Sequence, residues 1–181
     1  MKVPFICRSV LASCVMAFGI ASAAAQSVNL PVRTSPVPKT TNGVPHVQIN
    51  VKPSPALSAK LLDRVSEIPG VDIRDTVISL PGAKGFWIEE NVQLARPEVI
   101  VGGREFAHMH PDGSLHASLP AKLAREAVKA GWATPHPWAG RRPGWEGFVM
   151  VYTPGTPEEL DVVLQLVVAS YTYVTGRNPN E

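Results

Sequence analysis

Cysteine is nearly absent. The 181-residue chain has two, Cys7 and Cys14, and both fall in a leader expected to be removed, which would leave no disulfide, no thiolate nucleophile and no thiolate metal ligand. An excess of charge is missing too. Lysine and arginine number 17 against 15 aspartates and glutamates, and residues 1–25 hold Lys2 and Arg8 but no acid, so the remainder balances at 15 against 15. A formally neutral chain gives no electrostatic footing for nucleic acid or an anionic membrane surface. Long apolar runs are also lacking: the stretch Val10 to Ile20 falls short of the roughly 20 residues that a spanning helix needs. No Gly-rich phosphate loop, Ser-His-Asp order or zinc-protease pattern occurs.

The start of the chain reads as an export signal. Lys2 and Arg8 precede the apolar stretch, and the small-residue run Ala21-Ser22-Ala23-Ala24-Ala25 stands before Gln26, the order that signal peptidase reads. Cleavage is expected after Ala25, giving a periplasmic or secreted protein with no stable membrane span. Residues 26–54 then carry Pro31, Pro36, Pro38, Pro45 and Pro53. Proline at this density removes backbone donors and blocks helix, so the segment is expected to be an extended, mostly disordered linker. His46 is expected to be solvated within it, and deletion of Ser27 to Asn50 to shift the melting temperature by only a degree or two. Val47 to Val51 could add an edge strand.

Residues 55–176 are expected to form one α+β domain. Ser54 is a helix cap with Pro55 in the first turn, and Leu57, Leu61, Leu62, Val65 and Ile68 recur at helical spacing until Pro69-Gly70. Strand-like segments follow at Val71–Leu80, Phe86–Leu94, Val99–Val101, Glu105–His110 and Leu115–Leu119, divided by Gly/Pro turns. A helix from Pro120 to Gly131, a loop over 132–144 and a strand at Phe148–Tyr152 come next. Thr156-Pro157-Glu158-Glu159 is a capping box opening a last helix, with Leu160, Val163, Leu164, Val167, Val168 and Tyr171 as its buried stripe. Such an order predicts a mostly antiparallel sheet covered on one face by helices, a two-layer sandwich.

Chemistry concentrates in Glu105-Phe106-Ala107-His108-Met109-His110-Pro111-Asp112-Gly113-Ser114-Leu115-His116. Pro-Asp-Gly is turn chemistry, and a three-residue loop there sets His110 opposite Ser114 and His108 opposite His116. His108, His110 and His116 then share one sheet face. With a two-residue loop, His116 would point the other way. Three neutral imidazoles on a sheet suit a zinc, copper or iron ion; they equally suit a metal-free site with a general base, or packed histidines without function. Strand parity turns Glu105 away from His108. A second stretch, from Gly131 to Trp145, offers His136 between two prolines, Trp132, Trp138 and Trp145 for stacking, and Arg141 as an anion donor, a candidate wall for an aromatic ligand.

These motifs, with Gly131-Trp132, His136-Pro137-Trp138-Ala139-Gly140 and Phe148-Val149-Met150-Val151-Tyr152-Thr153-Pro154, resemble the luciferase-like domain of fungal bioluminescence enzymes and bacterial relatives, over about Pro69 to Val174. That resemblance implies oxidation of a hydroxylated small aromatic or enolic compound by molecular oxygen without an organic cofactor; the histidine pattern by itself leaves a transition metal open at His108, His110 and His116. The resemblance makes His108, His110, His116 and His136 the catalytic candidates; Trp132, Trp138, Arg141 and Trp145, read from the residues of the second stretch, are the substrate-binding ones. The alternative is a non-catalytic extracytoplasmic module that binds a metal or a small ligand.

Overall fold

A computed structural model describes residues 30–179; the expected leader lies outside the described residues. Helix α1 (Pro55–Ser66) starts at Ser54, whose hydroxyl accepts the Leu57 N–H. Strands β1 (Val71–Asp75), β2 (Lys84–Ile88), β3 (Glu105–Met109) and β4 (Leu115–Ser118) form an antiparallel meander. Helix α2 (Ala121–Lys129) leads to β5 (Ala133–Pro135), β6 (Phe148–Val151) and the long helix α3 (Pro157–Thr175). The six strands make one antiparallel sheet in the order β1-β2-β3-β4-β6-β5. The helices contact the sheet on the side that carries Ala107, Met109, Leu115, Ala117, Val149 and Val151, and those side chains form the core with Leu160, Val163, Leu166 and Tyr171 of α3. The two-layer α+β architecture follows from that one-sided apolar pattern.

Several expected elements differ in extent. β1 stops at Asp75 because the chain beyond it turns to give the Thr76 hydroxyl and the Val77 N–H to the Glu105 carboxylate. β2 begins at Lys84 and stops at Ile88, where the backbone folds back through Glu89 N–H to Gly70 carbonyl and Val92 N–H to Glu89 carbonyl bonds. The expected strand Val99–Val101 does not form: a 3-10 turn, Pro97–Val99, takes its start and Ile100 and Val101 belong to no strand. Part of the expected 132–144 loop is the edge strand β5. α3 opens as expected, with the Thr156 hydroxyl accepting the Glu159 N–H. The Glu159 carboxylate reaches back to the Gly155 N–H, one residue before the usual capping-box partner.

The largest departure is the proline-rich segment. Residues 30–54 lie against the domain as a strap, and the expectation of a disordered linker does not hold for them. The Arg33 side chain is buried: its guanidinium donates to the Thr153 carbonyl (3.0 Å), pairs with the Glu159 carboxylate (3.1 Å) and sits 5.2 Å above the Trp132 ring. Gln48 donates to the Thr153 hydroxyl at 2.6 Å and accepts the Thr153 N–H. In place of an edge strand, Thr40 and Gln48 make a single antiparallel bridge. Proline prevents regular structure, but it also lowers the entropy lost when an extended chain docks. Among the described residues no helix is long and apolar enough to cross a membrane.

Candidate functional site

On the sheet face turned away from the helices, the register sets Gly85 opposite His108, His108 opposite His116, His116 opposite Met150, and Met150 opposite Thr134. The hairpin turns at Pro111-Asp112-Gly113, Gly113 has φ +81°, and the His110 N–H meets the Ser114 carbonyl at 2.8 Å. This is the three-residue loop that the sequence favours, and it puts His108, His110 and His116 on one patch. His136, just past β5, and His46, on the strap, complete it. All five histidines of the chain converge there and all are buried. The His46 ring stacks on that of His116 with centroids 5.3 Å apart, and the His136 ring meets the His116 ring edge-on at 4.5 Å. His46 is therefore a site residue, which corrects the reading of it as a solvated linker side chain.

Glu105 corrects a second reading. Trp87 pairs with Glu105 and Phe86 with Ala107, so Phe106 is an extra residue, a bulge that reverses strand parity. Phe106 and Ala107 both face the core. Glu105 is thereby returned to the histidine face, where its fully buried carboxylate lies 2.9 Å from His108 Nδ1.

Hydrogen-bond partners fix which ring nitrogens hold lone pairs. The Glu105 carboxylate accepts from Thr76 and Val77 and can only accept from His108, so Nδ1 of His108 carries its proton and Nε2 is the lone pair. Ser114 gives its hydroxyl proton to Asp112 at 2.6 Å; its oxygen then accepts from His110 Nδ1 at 3.0 Å, leaving His110 Nε2 free. His136 is the reverse: its Nδ1 accepts the Trp138 N–H at 3.0 Å, so Nε2 carries the proton. His116 lies between two rings, with Nδ1 3.1 Å from His108 Nε2 and Nε2 3.2 Å from His46 Nδ1.

Burial, and next the neighbouring imidazoles, oppose protonation. The His110 pKa is pushed down to about 4, with burial the largest cause, the His108 charge next and Asp112 pulling the other way. Burial, followed by the charges of His46, His108, His110 and Arg141, lowers His136 to about 3. His116 falls further still, through burial and then its four histidine neighbours, and burial lowers His46. These four rings are neutral at physiological pH and offer lone pairs and N–H donors.

The rings line a cavity of about 200 Å³, walled also by Leu80, Val101, Trp138 and Phe148. A cavity of ~150 Å³ holds benzene, so this one has room for a substituted ring. Of the expected ligand-stacking residues, Trp138 alone lines it. Trp145 stacks behind Trp138 at 6.2 Å and donates its indole N–H to the Glu98 carbonyl. Trp132 binds the strap through the Pro31 carbonyl and Arg33, and Arg141 is exposed. His46 and Glu105 escape a sequence reading because a distant segment places one and a bulge the other. The available signal is that all five histidines lie beyond the leader, in a stretch without cysteine. Two triads, His108/His110/His116 and His46/His116/His136, bring one ligand atom each within 4.8 Å of one another and could hold a metal ion.

Comparison with known proteins fits this geometry. Residues 103–170, from the bulged strand through most of α3, match the sequence profile described as Luciferase domain. A protein named Luciferase from Armillaria gallica is 32% identical over 168 residues, covering 82% of this chain and 62% of its own length. One from Armillaria ostoyae is 31% identical with the same coverage, and one from Neonothopanus nambi is 42% identical over 79 residues, 40% of this chain and 29% of its own. No solved structure matches. The chain thus spans a little under two thirds of the Armillaria proteins, and by these matches it belongs to the luciferase-like domain family.

Proposed function

We propose that the domain is an enzyme that oxidises a small aromatic or enolic compound with molecular oxygen in the histidine-walled cavity. The observation that carries this reading is the convergence of five buried imidazoles with Trp138 and Phe148 on a ring-sized cavity, in a chain similar to proteins named Luciferase. A ring hydroxyl entering the cavity meets His108 Nε2, whose ring is backed by the Glu105 carboxylate and is the group placed to take its proton. The resulting enolate or phenolate is the electron-rich form that reduces dioxygen. His136, whose Nε2–H is fixed by the Trp138 backbone, donates to the developing oxyanion, and Trp138 packs the ring. The apolar walls keep the anion dry, which strengthens each of these contacts.

The test is an oxygen-electrode screen of phenols and hydroxypyrones, paired with thermal shift. Oxygen consumption should require a free ring hydroxyl, vanish with the O-methyl ether, and fall by ~10²-fold or more in His136→Ala. If no hydroxylated ring raises the melting temperature or consumes oxygen, the enzyme reading fails. We place the protein outside the cytoplasm on the strength of the leader alone; amino-terminal sequencing of protein from the extracytoplasmic fraction should begin at Gln26.

A further inference from the structure

We propose that His108 Nε2, His110 Nε2 and His116 Nδ1 form a facial three-histidine site for one divalent transition-metal ion, with its remaining coordination positions open to the cavity. Three observations converge on it.

The first is spacing. Two nitrogens each about 2.0–2.1 Å from a tetrahedral ion are separated by about 3.3 Å, and His108 Nε2 and His116 Nδ1 stand 3.1 Å apart. The ligand atoms of all three residues lie within 4.8 Å of one another. The second is the outer partners. A ligating imidazole normally donates its other N–H to a carboxylate or another acceptor, which fixes the ring and raises its basicity. His108 does so to Glu105, and His110 to the Ser114 hydroxyl backed by Asp112. His116, with Nδ1 on the ion, donates Nε2–H to His46 Nδ1. Every proposed ligand therefore has a built acceptor behind it, and two of the three end on a carboxylate.

The third observation decides between the two triads. His136 receives the Trp138 N–H on Nδ1, so its Nε2 carries a proton and has no lone pair to give. The triad His46/His116/His136 would have to break that bond. The hairpin triad gives up only the His108–His116 nitrogen contact, which a bound ion would replace by two metal bonds, the His116 proton leaving Nδ1 for Nε2, where His46 Nδ1 can accept it.

Imidazole ligands with no thiolate suit zinc, iron(II) or cobalt(II). The site rests on the functional reading above only for what the ion would do, which is to hold and acidify a ring hydroxyl. Its existence can be tested without substrate.

The experiment is a titration of the chelator-dialysed full chain with Co²⁺, read by its visible d–d bands and by metal content. One Co²⁺ per chain is expected, with the visible d–d bands of a low-coordinate nitrogen site. His110→Ala should abolish the bands and His136→Ala should keep them. Glu105→Gln should weaken Co²⁺ binding by about 10- to 100-fold. A folded wild-type protein that takes up no Co²⁺ overturns the proposal, with no variant needed. So does Co²⁺ binding that survives His110→Ala or is lost in His136→Ala, because either places the ion elsewhere. Stoichiometric Co²⁺ with no oxidation of any ring compound would leave the metal site standing and remove the enzyme reading. Oxygen consumption unchanged in metal-free protein would leave the enzyme reading standing and overturn the ion's part in holding and acidifying the ring hydroxyl.

Discussion

Arg33 tests how firmly the strap is held. Its side chain is 4% exposed and that of Glu159 5%, so the pair is cut off from water. Replacing it as Arg33→Met keeps most of the hydrocarbon over Trp132 and removes the charge. The Glu159 carboxylate then keeps the Gly155 N–H and loses its cation. Removing one partner of a buried pair costs about 3–5 kcal/mol. Glu159 Oε1 and two guanidinium nitrogens of Arg33 have no partner even in the intact pair, which puts the expectation at the low end, about 3 kcal/mol. At roughly 2–4 °C per kcal/mol for a chain of this size, the melting temperature should fall by about 6–12 °C. Should the strap peel away before the domain melts, limited proteolysis within residues 30–54 will report it first. The double variant Arg33→Met/Glu159→Met should recover most of the loss, because no buried charge is left alone. A single variant that melts within a degree of the parent, with the strap equally protected, would refute this account and restore the free linker.

Other outcomes follow from the same structure. Gly85→Ala should destabilise by about 1–3 kcal/mol and uncouple His108, since the added methyl would stand 2.9 Å from the Glu105 carboxyl carbon and 2.7 Å from Trp87 Nε1; a nitrogen-15 histidine spectrum should lose the His108 Nδ1–H pattern. Gly113→Ala should cost about 1–3 kcal/mol, because φ there is +81° and the new Cβ would meet Thr153 Cγ2 at 2.9 Å; an unchanged denaturation midpoint would argue against the three-residue turn. His46→Ala, neutral if the residue were solvated, should lower ligand-induced thermal shifts markedly. Finally, His110 is pushed down to about 4 and His136 to about 3, so the unfolded chain takes up protons below about pH 6.5 that the folded one refuses. Stability should be full above that pH and drop progressively as pH falls towards 4, by about 1.4 kcal/mol per pH unit for each such group; a flat denaturation midpoint from pH 7 to 4 would contradict it.

The sequence by itself settled what depends on neighbours in the chain. Ser54 and Thr156 cap the helices that they precede, and Pro111-Asp112-Gly113 selects the turn that aligns His108 with His116. Alternation along β4, Leu115 and Ala117 against His116 and Ser118, specifies the side of the sheet that the helices cover. Tertiary structure decided the rest. A single unpaired residue, Phe106, moves Glu105 to the opposite face, and a one-residue slip leaves no mark in local pattern because the apolar run Phe106-Ala107 reads equally well either way. The strap's place depends on a buried ion pair across more than a hundred residues, between Arg33 and Glu159, and on Gln48 against Thr153. Proline content governs what the strap cannot form and is silent on what it lies against. His46 reaches the site by that long-range docking alone, so the fifth imidazole and the final shape of the cavity belong to the folded domain.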